Sequence, residues 1–154
     1  GQYPGLHVVP LFRPREIVVC SPSLLARGPK LEVLSDLKHH ALLHDDSYHA
    51  WERWLKAAGV KGVNARRGVI CGDRNSMLQA ALEGQGVALA SSVFAAGDLA
   101  AGRLVQVFTD AIESPFAIYA VCLPRRLNDP LISGAMDWLV REATTSPDAH
   151  VPEP

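Results

Sequence analysis

Four of the six histidines, His39, His40, His44 and His49, fall within eleven residues, with Asp45 and Asp46 between them. Imidazoles and carboxylates at that density are ligands a transition metal takes. The segment has no HExxH and no matched i, i+4 pair within one strong helix, and a metal needs three convergent ligands. The plainer expectation is a solvated helix end with His44 facing a cleft. Asp45 and Asp46 are adjacent, so in a strand they would point to opposite faces rather than work as a pair.

A second constellation is Asp73-Arg74-Asn75-Ser76, which precedes the apolar spacing Met77, Leu78, Ala81, Leu82. Residues of these types cap helices. A helix N-terminus also presents free N–H groups and partial positive charge to an anion, and Arg74 adds a full charge with two-pronged donors. Tyr48, His49 and Trp51 could wall an aromatic pocket, although Trp51 and Trp54 at helical spacing also suit a core. Other motifs carry less. Glu83-Gly84-Gln85-Gly86-Val87 falls between a helix and a strand, the reverse of a dinucleotide fingerprint, so no cofactor is expected there. Ser76 lacks a Gly-x-Ser-x-Gly elbow. Cys20, Cys71 and Cys122 sit in apolar runs, odd in number and far apart, and read as buried thiols in a reducing compartment. With no general acid–base pair legible, these residues point to a small-molecule binder rather than an enzyme.

The elements that must hold them follow from patterning. The 154 residues suit one domain or two small lobes, and 48% hydrophobic against 20% charged residues excludes disorder. A net charge of −1 argues against a nucleic-acid surface on this chain. No apolar stretch reaches the ~18 residues of a membrane span, and the start lacks a signal-peptide pattern, so a soluble cytoplasmic protein is expected. Strands are predicted at Leu6–Phe12, Ile17–Cys20, Ala41–His44, Val69–Cys71, Val87–Ala90 and Leu104–Phe108. The longest is expected at Phe116–Leu123. Short helices are expected at Leu24–Arg27 and Val33–His40. Longer ones are predicted from Ala50 to Gly59, from Asp73 to Gly84, over Phe94–Ala101, and over Leu131–Ala143 behind Asp129-Pro130. Such alternation implies an α/β fold with mostly parallel strands, ending in a frayed tail over residues 144–154.

Read in order, several pieces carry a resemblance: Gln2-Tyr3-Pro4-Gly5-Leu6, Pro10-Leu11-Phe12, Val19-Cys20-Ser21-Pro22, Leu42-Leu43-His44-Asp45 and Trp51-Glu52-Arg53-Trp54-Leu55. They continue through Leu78-Gln79-Ala80-Ala81-Leu82-Glu83-Gly84-Gln85-Gly86-Val87-Ala88-Leu89, Asp98-Leu99-Ala100-Ala101-Gly102-Arg103-Leu104 and Asp137-Trp138-Leu139. The chain resembles the effector-binding domain of LysR-type transcriptional regulators, in the branch of the glycine-cleavage activator and the β-lactamase regulator. The resemblance runs from residue 1 to about 143.

That resemblance implies a periplasmic-binding-protein-like fold of two α/β lobes with a small effector between them. Residues 1–15 and 116–143 would form a partial first lobe, and residues 16–115 a complete second lobe. The winged helix-turn-helix, the linker helix and the opening of the first lobe are expected to be missing, so DNA would be bound only through a domain outside this chain. The incomplete lobe should expose an apolar face, covered by another copy or poorly ordered. Carried onto this sequence, the effector wall would comprise His44, Tyr48, His49, Asp73, Arg74, Asn75, Ser76 and Tyr119, with Arg74 favouring an anionic effector. A homo-oligomer would form through the helix Asn75–Gly84 and exposed first-lobe surfaces. The alternatives are a free-standing solute-binding protein of the same fold and a small metal-binding protein or enzyme using His39–His49.

Overall fold

The computed structural model describes residues 3–145. Gly1, Gln2 and residues 146–154, most of the expected tail, lie outside the described residues. The chain divides into two compact units, one of Gly1–Arg15 with Glu113–Pro154 and the other of Glu16–Ile112.

In the first unit, β1 (His7–Phe12) pairs antiparallel with β7 (Ile118–Cys122), in a register that sets Val8 opposite Val121 and Pro10 opposite Tyr119. The helix α5 (Pro130–Thr145) packs on this ribbon. Its inner stripe Ile132, Met136, Leu139, Ala143 follows helical spacing and meets Leu11, Ile118 and Ala120. The helix includes Thr144 and Thr145, which were expected to fray.

The second unit is built on a five-stranded sheet in the order β4-β3-β5-β2-β6. Its strands are β2 (Arg15–Cys20), β3 (Leu42–His44), β4 (Gly68–Ile70), β5 (Val87–Ser91) and β6 (Val105–Glu113). Strict alternation sorts their side chains between two faces. Val18, Cys20, Leu42, Val87 and Leu89 join Trp51, Trp54 and Leu55 of α2 (His49–Ala57). Ile17, Val19, Leu43, Ala88 and Ala90 join Met77, Leu78 and Ala81 of α3 (Arg74–Leu82) and Ala95 of α4 (Ser92–Ala100). A short helix, α1 (Pro22–Arg27), and a 3-10 turn at Leu34–His39 fill the connection before β3.

Several expectations need correcting. β3 pairs in parallel with both β4 and β5, but β2 pairs antiparallel with β5, so the sheet is mixed. The strand expected at Val69–Cys71 forms as β4, but as an edge strand that leaves Val69 and Ile70 exposed. The longest strand is β6 at nine residues, whereas the expected Phe116–Leu123 run shrinks to five in β7. Of the cysteines only Cys20 is buried, where desolvation pushes its thiol to about 11; Cys71 and Cys122 are half-buried.

Candidate functional site

The parallel strands β3 and β5 end side by side, with Leu43 opposite Ala88, and β4 ends beside β3, with Ile70 opposite His44. Ligands of open α/β sheets gather beyond such carboxyl ends. The following loops stay together, because the Cys71 and Gly72 N–H groups donate to the His44 and Asp45 carbonyls at 2.9 and 2.7 Å.

His44 ends β3 and is 2% exposed, and neither ring nitrogen makes a well-aligned hydrogen bond, although the Arg67 and Ser47 main chains lie close to the ring. Burial pulls its pKa below the usual imidazole range; the Arg67 and Ser47 main chains and the Asp45 charge oppose only part of that fall. Its ring meets Tyr48 edge-on, with centroids 4.7 Å apart. Tyr48 is half-buried and carries the Arg66 guanidinium 5.9 Å above its ring centroid. His49 lies exposed at the start of α2, near the Glu52 charge. Trp51 and Trp54 are core residues: their indole N–H groups donate to the Leu43 and Glu16 carbonyls at 2.9 and 3.2 Å.

Asp73 caps α3. Its carboxylate accepts from the Ser76 hydroxyl at 2.7 Å and the Ser76 N–H at 3.0 Å, and these bonds hold its pKa below the usual carboxylate range. The cap therefore occupies Asp73 and Ser76 with one another. Arg74 and Asn75 are exposed, and Arg74 lays its guanidinium 5.7 Å from the Phe94 ring centroid on α4. Tyr119 belongs to the first unit, half-buried in β7, with its ring edge-on to Tyr3 at 6.3 Å.

The histidine cluster disperses. His39 and His49 are exposed, while His40 and His44 are buried, so the expected solvated helix end applies to only half of it. Among the described residues, no three His, Cys, Asp or Glu side chains converge as a metal site. Asp45 and Asp46 lie in a bend after β3, not in a strand. Nor, among the described residues, is any helix long and apolar enough to cross a membrane.

Sequence reasoning missed a group at the same sheet end. The Glu16 carboxylate accepts from Arg53 Nη2 at 2.6 and 2.7 Å, and Glu16 sits opposite Ser91 across β2 and β5. Arg53 Nε, Ser91 Oγ and Ser92 Oγ are buried there without partners. The signal was the Ser91-Ser92 pair directly after a buried apolar strand, passed over because α4 was expected to begin at Phe94. A groove of about 720 Å³, lined by Val33, Val60, Lys61, Phe108 and Asp110 among others, lies elsewhere on this unit and includes none of the expected site residues.

The LysR substrate binding domain family matches residues 1–144. The glycine cleavage system transcriptional activator of Escherichia coli K12 is 38% identical over 143 residues, covering 93% of this chain and 47% of that protein. The transcriptional activator AmpR of Citrobacter koseri is 29% identical, covering 93% and 48%. The chain thus spans about half the length of the curated relatives it matches. Among solved structures, the effector domain of AmpR from Pseudomonas aeruginosa is similar with a TM-score of 0.76 at 27% identity, over 94% of this chain and 68% of that one. The AmpR effector binding domain of Citrobacter freundii, at 22% identity and a TM-score of 0.77, shares the fold. That fold is the α/β, periplasmic-binding-protein-like one of these effector domains. The relatives are transcriptional regulators rather than enzymes.

Proposed function

The chain belongs to the LysR substrate-binding domain family, and on that premise we propose that it is the effector-sensing part of a cytoplasmic transcription regulator. It binds a small metabolite and does not transform it. The observation that carries this reading is the shared end of β3, β4 and β5, where a buried imidazole without a well-aligned hydrogen bond, a tyrosine face and the start of α3 are held together. His44, Tyr48, Arg74 and Asn75 are the contacts we assign on the second unit, with His49, Asp73 and Ser76 beside them. Arg74, which makes no ion pair among the described residues, favours an anion.

Residues 16–115 form the second lobe in this reading, and residues 1–15 with 116–143 form part of the first. DNA binding belongs to a helix-turn-helix outside this chain, and copies associate through Asn75–Gly84 and through exposed first-lobe surfaces. An effector can switch such an assembly only by binding one arrangement more tightly than another.

The test is a thermal-shift screen of the 154-residue chain against small organic acids, amino acids and peptides, repeated with Tyr48→Ala. A saturable rise in Tm with at least one of them, lost in the variant, supports the reading. Absence of any such rise, or conversion of a compound during incubation, overturns it.

A further inference from the structure

Among the described residues, six buried side-chain nitrogen and oxygen atoms have no partner, and five of them lie at one end of the second unit's sheet: both His44 nitrogens, Arg53 Nε, Ser91 Oγ and Ser92 Oγ. An unmet buried polar group costs about 1–3 kcal/mol, so a cluster of them is expected to have a purpose. Leaving His44 aside, the rest share a character. Arg53 Nε can only donate, and the serine hydroxyls can donate. Ser91 and Ser92 stand at the start of α4, a nine-residue helix with no acidic residue in its first turn and no side-chain cap on its N-terminal N–H groups, and Arg53 is bound to Glu16, the strand partner of Ser91. That helix end contributes further donors and partial positive charge.

The remaining geometry concentrates this bias. Ser92 is 6% exposed and is the first helical residue. Helical Cα–Cβ bonds tilt toward the N-terminus, so its hydroxyl is directed at the opening of α4. Ser91 lies opposite Glu16, whose carboxylate accepts from Arg53 Nη2 and makes no hydrogen bond to either serine. Arg74 stacks on Phe94 in the same first turn and brings a guanidinium from α3. Each of these orphaned groups can donate, so an acceptor would satisfy them all.

We propose that the start of α4, with Ser91, Ser92 and Arg74, is a carboxylate subsite that holds the acid group of a small organic anion. This deepens the effector reading and rests on it for its biological meaning. It moves the anchoring contact from the cap of α3, where Asp73 and Ser76 already satisfy one another, to the uncapped helix beside it. A carboxylate oxygen accepts from the first-turn N–H groups and a serine hydroxyl, while Arg74 supplies charge pairing from the exposed side. The rest of the molecule is then directed toward His44 and Tyr48.

The experiment is a titration of the ¹⁵N-labelled 154-residue chain with sodium acetate and with disodium succinate, against sodium chloride and sodium sulfate at matched ionic strength. Expected are saturable shifts of the Ser92, Val93 and Phe94 amides with the carboxylates but not with chloride or sulfate. Ser92→Ala and Arg74→Gln should each weaken the apparent affinity by about tenfold, the value of one charge-assisted contact. Ser92→Ala should also leave the unliganded Tm unchanged or raised, because it deletes an unpartnered hydroxyl rather than a bond; a purely structural serine would lower it. Equal shifts with sulfate or chloride overturn the carboxylate assignment. So do unchanged affinity in both variants and shifts confined to other residues. A metabolite that binds but perturbs only His44 and Tyr48 overturns this subsite and leaves the effector reading intact. Acetate titrating α4 while no metabolite binds would support the subsite and count against the effector reading.

Discussion

His44 shows how one side chain links burial, pH and binding. Its folded pKa is depressed below the ordinary 6.5, chiefly by burial. A depressed base binds its proton more weakly folded than unfolded, so protonation favours the unfolded chain. Its contribution is complete above the unfolded pKa and is lost as pH falls below it toward the folded value. Stability measured by urea unfolding should therefore decline as pH falls below the ordinary imidazole value, and His44→Phe should flatten that decline. The engaged carboxylates Asp73 and Glu52 are depressed by the Ser76 and Arg66 groups beside them, so their contributions fade only in more acidic solution. Trp51 offers a pH-independent comparison. Its indole N–H donates to the Leu43 carbonyl inside the core, and Trp51→Phe keeps an aromatic ring while deleting that bond. The expected cost is about 1 kcal/mol, read from the shift of the urea midpoint.

Elements rather than side chains decide where the site residues stand, and here the sequence was informative in places and silent in others. The helices α2 and α3 were legible because Trp51, Trp54, Leu55 and Met77, Leu78, Ala81 repeat with helical spacing and all point inward. The cap at Asp73 was legible for the same local reason. What stayed hidden was non-local. Nothing in Val69-Ile70 tells an edge strand from a central one, because that depends on which strand arrives beside it. Likewise, the orphaned atoms of Ser91, Ser92 and Arg53 depend on β2 lying against β5, a pairing in which Glu16 meets Ser91 from far along the chain. Gly68 is a sharp test of the edge. It holds a φ of +129°, and a Cβ there would stand 1.9 Å from the Leu42 carbonyl oxygen. Gly68→Ala must unpair β4 from β3, at a cost of at least ~2 kcal/mol. Its signature should be faster amide exchange at Leu42 and Cys71, whose N–H groups bridge these strands and their ends. Asp73→Ala should instead fray only the first turn of α3, raising exchange at Ser76 while β3 and β4 stay protected.

At the scale of the whole chain the two units are unequally built. The second buries clusters of eleven and ten residues on the two faces of its sheet, whereas the first gathers four, Leu11, Ala120, Met136 and Ala143, between one helix and a two-stranded ribbon. A ribbon of two strands is marginal without further cover. The first unit also leaves Leu131 82%, Phe116 70% and Trp138 53% exposed, with Val121 and Leu123 beyond two-fifths. On α5, Leu131 and Trp138 are seven residues apart and form a second apolar stripe outside the inner one. Stability is therefore expected to be uneven: native-state hydrogen exchange should show β1 and β7 opening about a hundredfold more often than β3 and β5. The same apolar stripe should draw copies of the chain together as concentration rises. Sedimentation velocity should show concentration-dependent association of the 154-residue chain, and Leu131→Lys combined with Trp138→Lys should abolish it without slowing exchange in the second unit. Association that survives the double substitution would locate the contact elsewhere, with the helix Asn75–Gly84 the next surface to substitute.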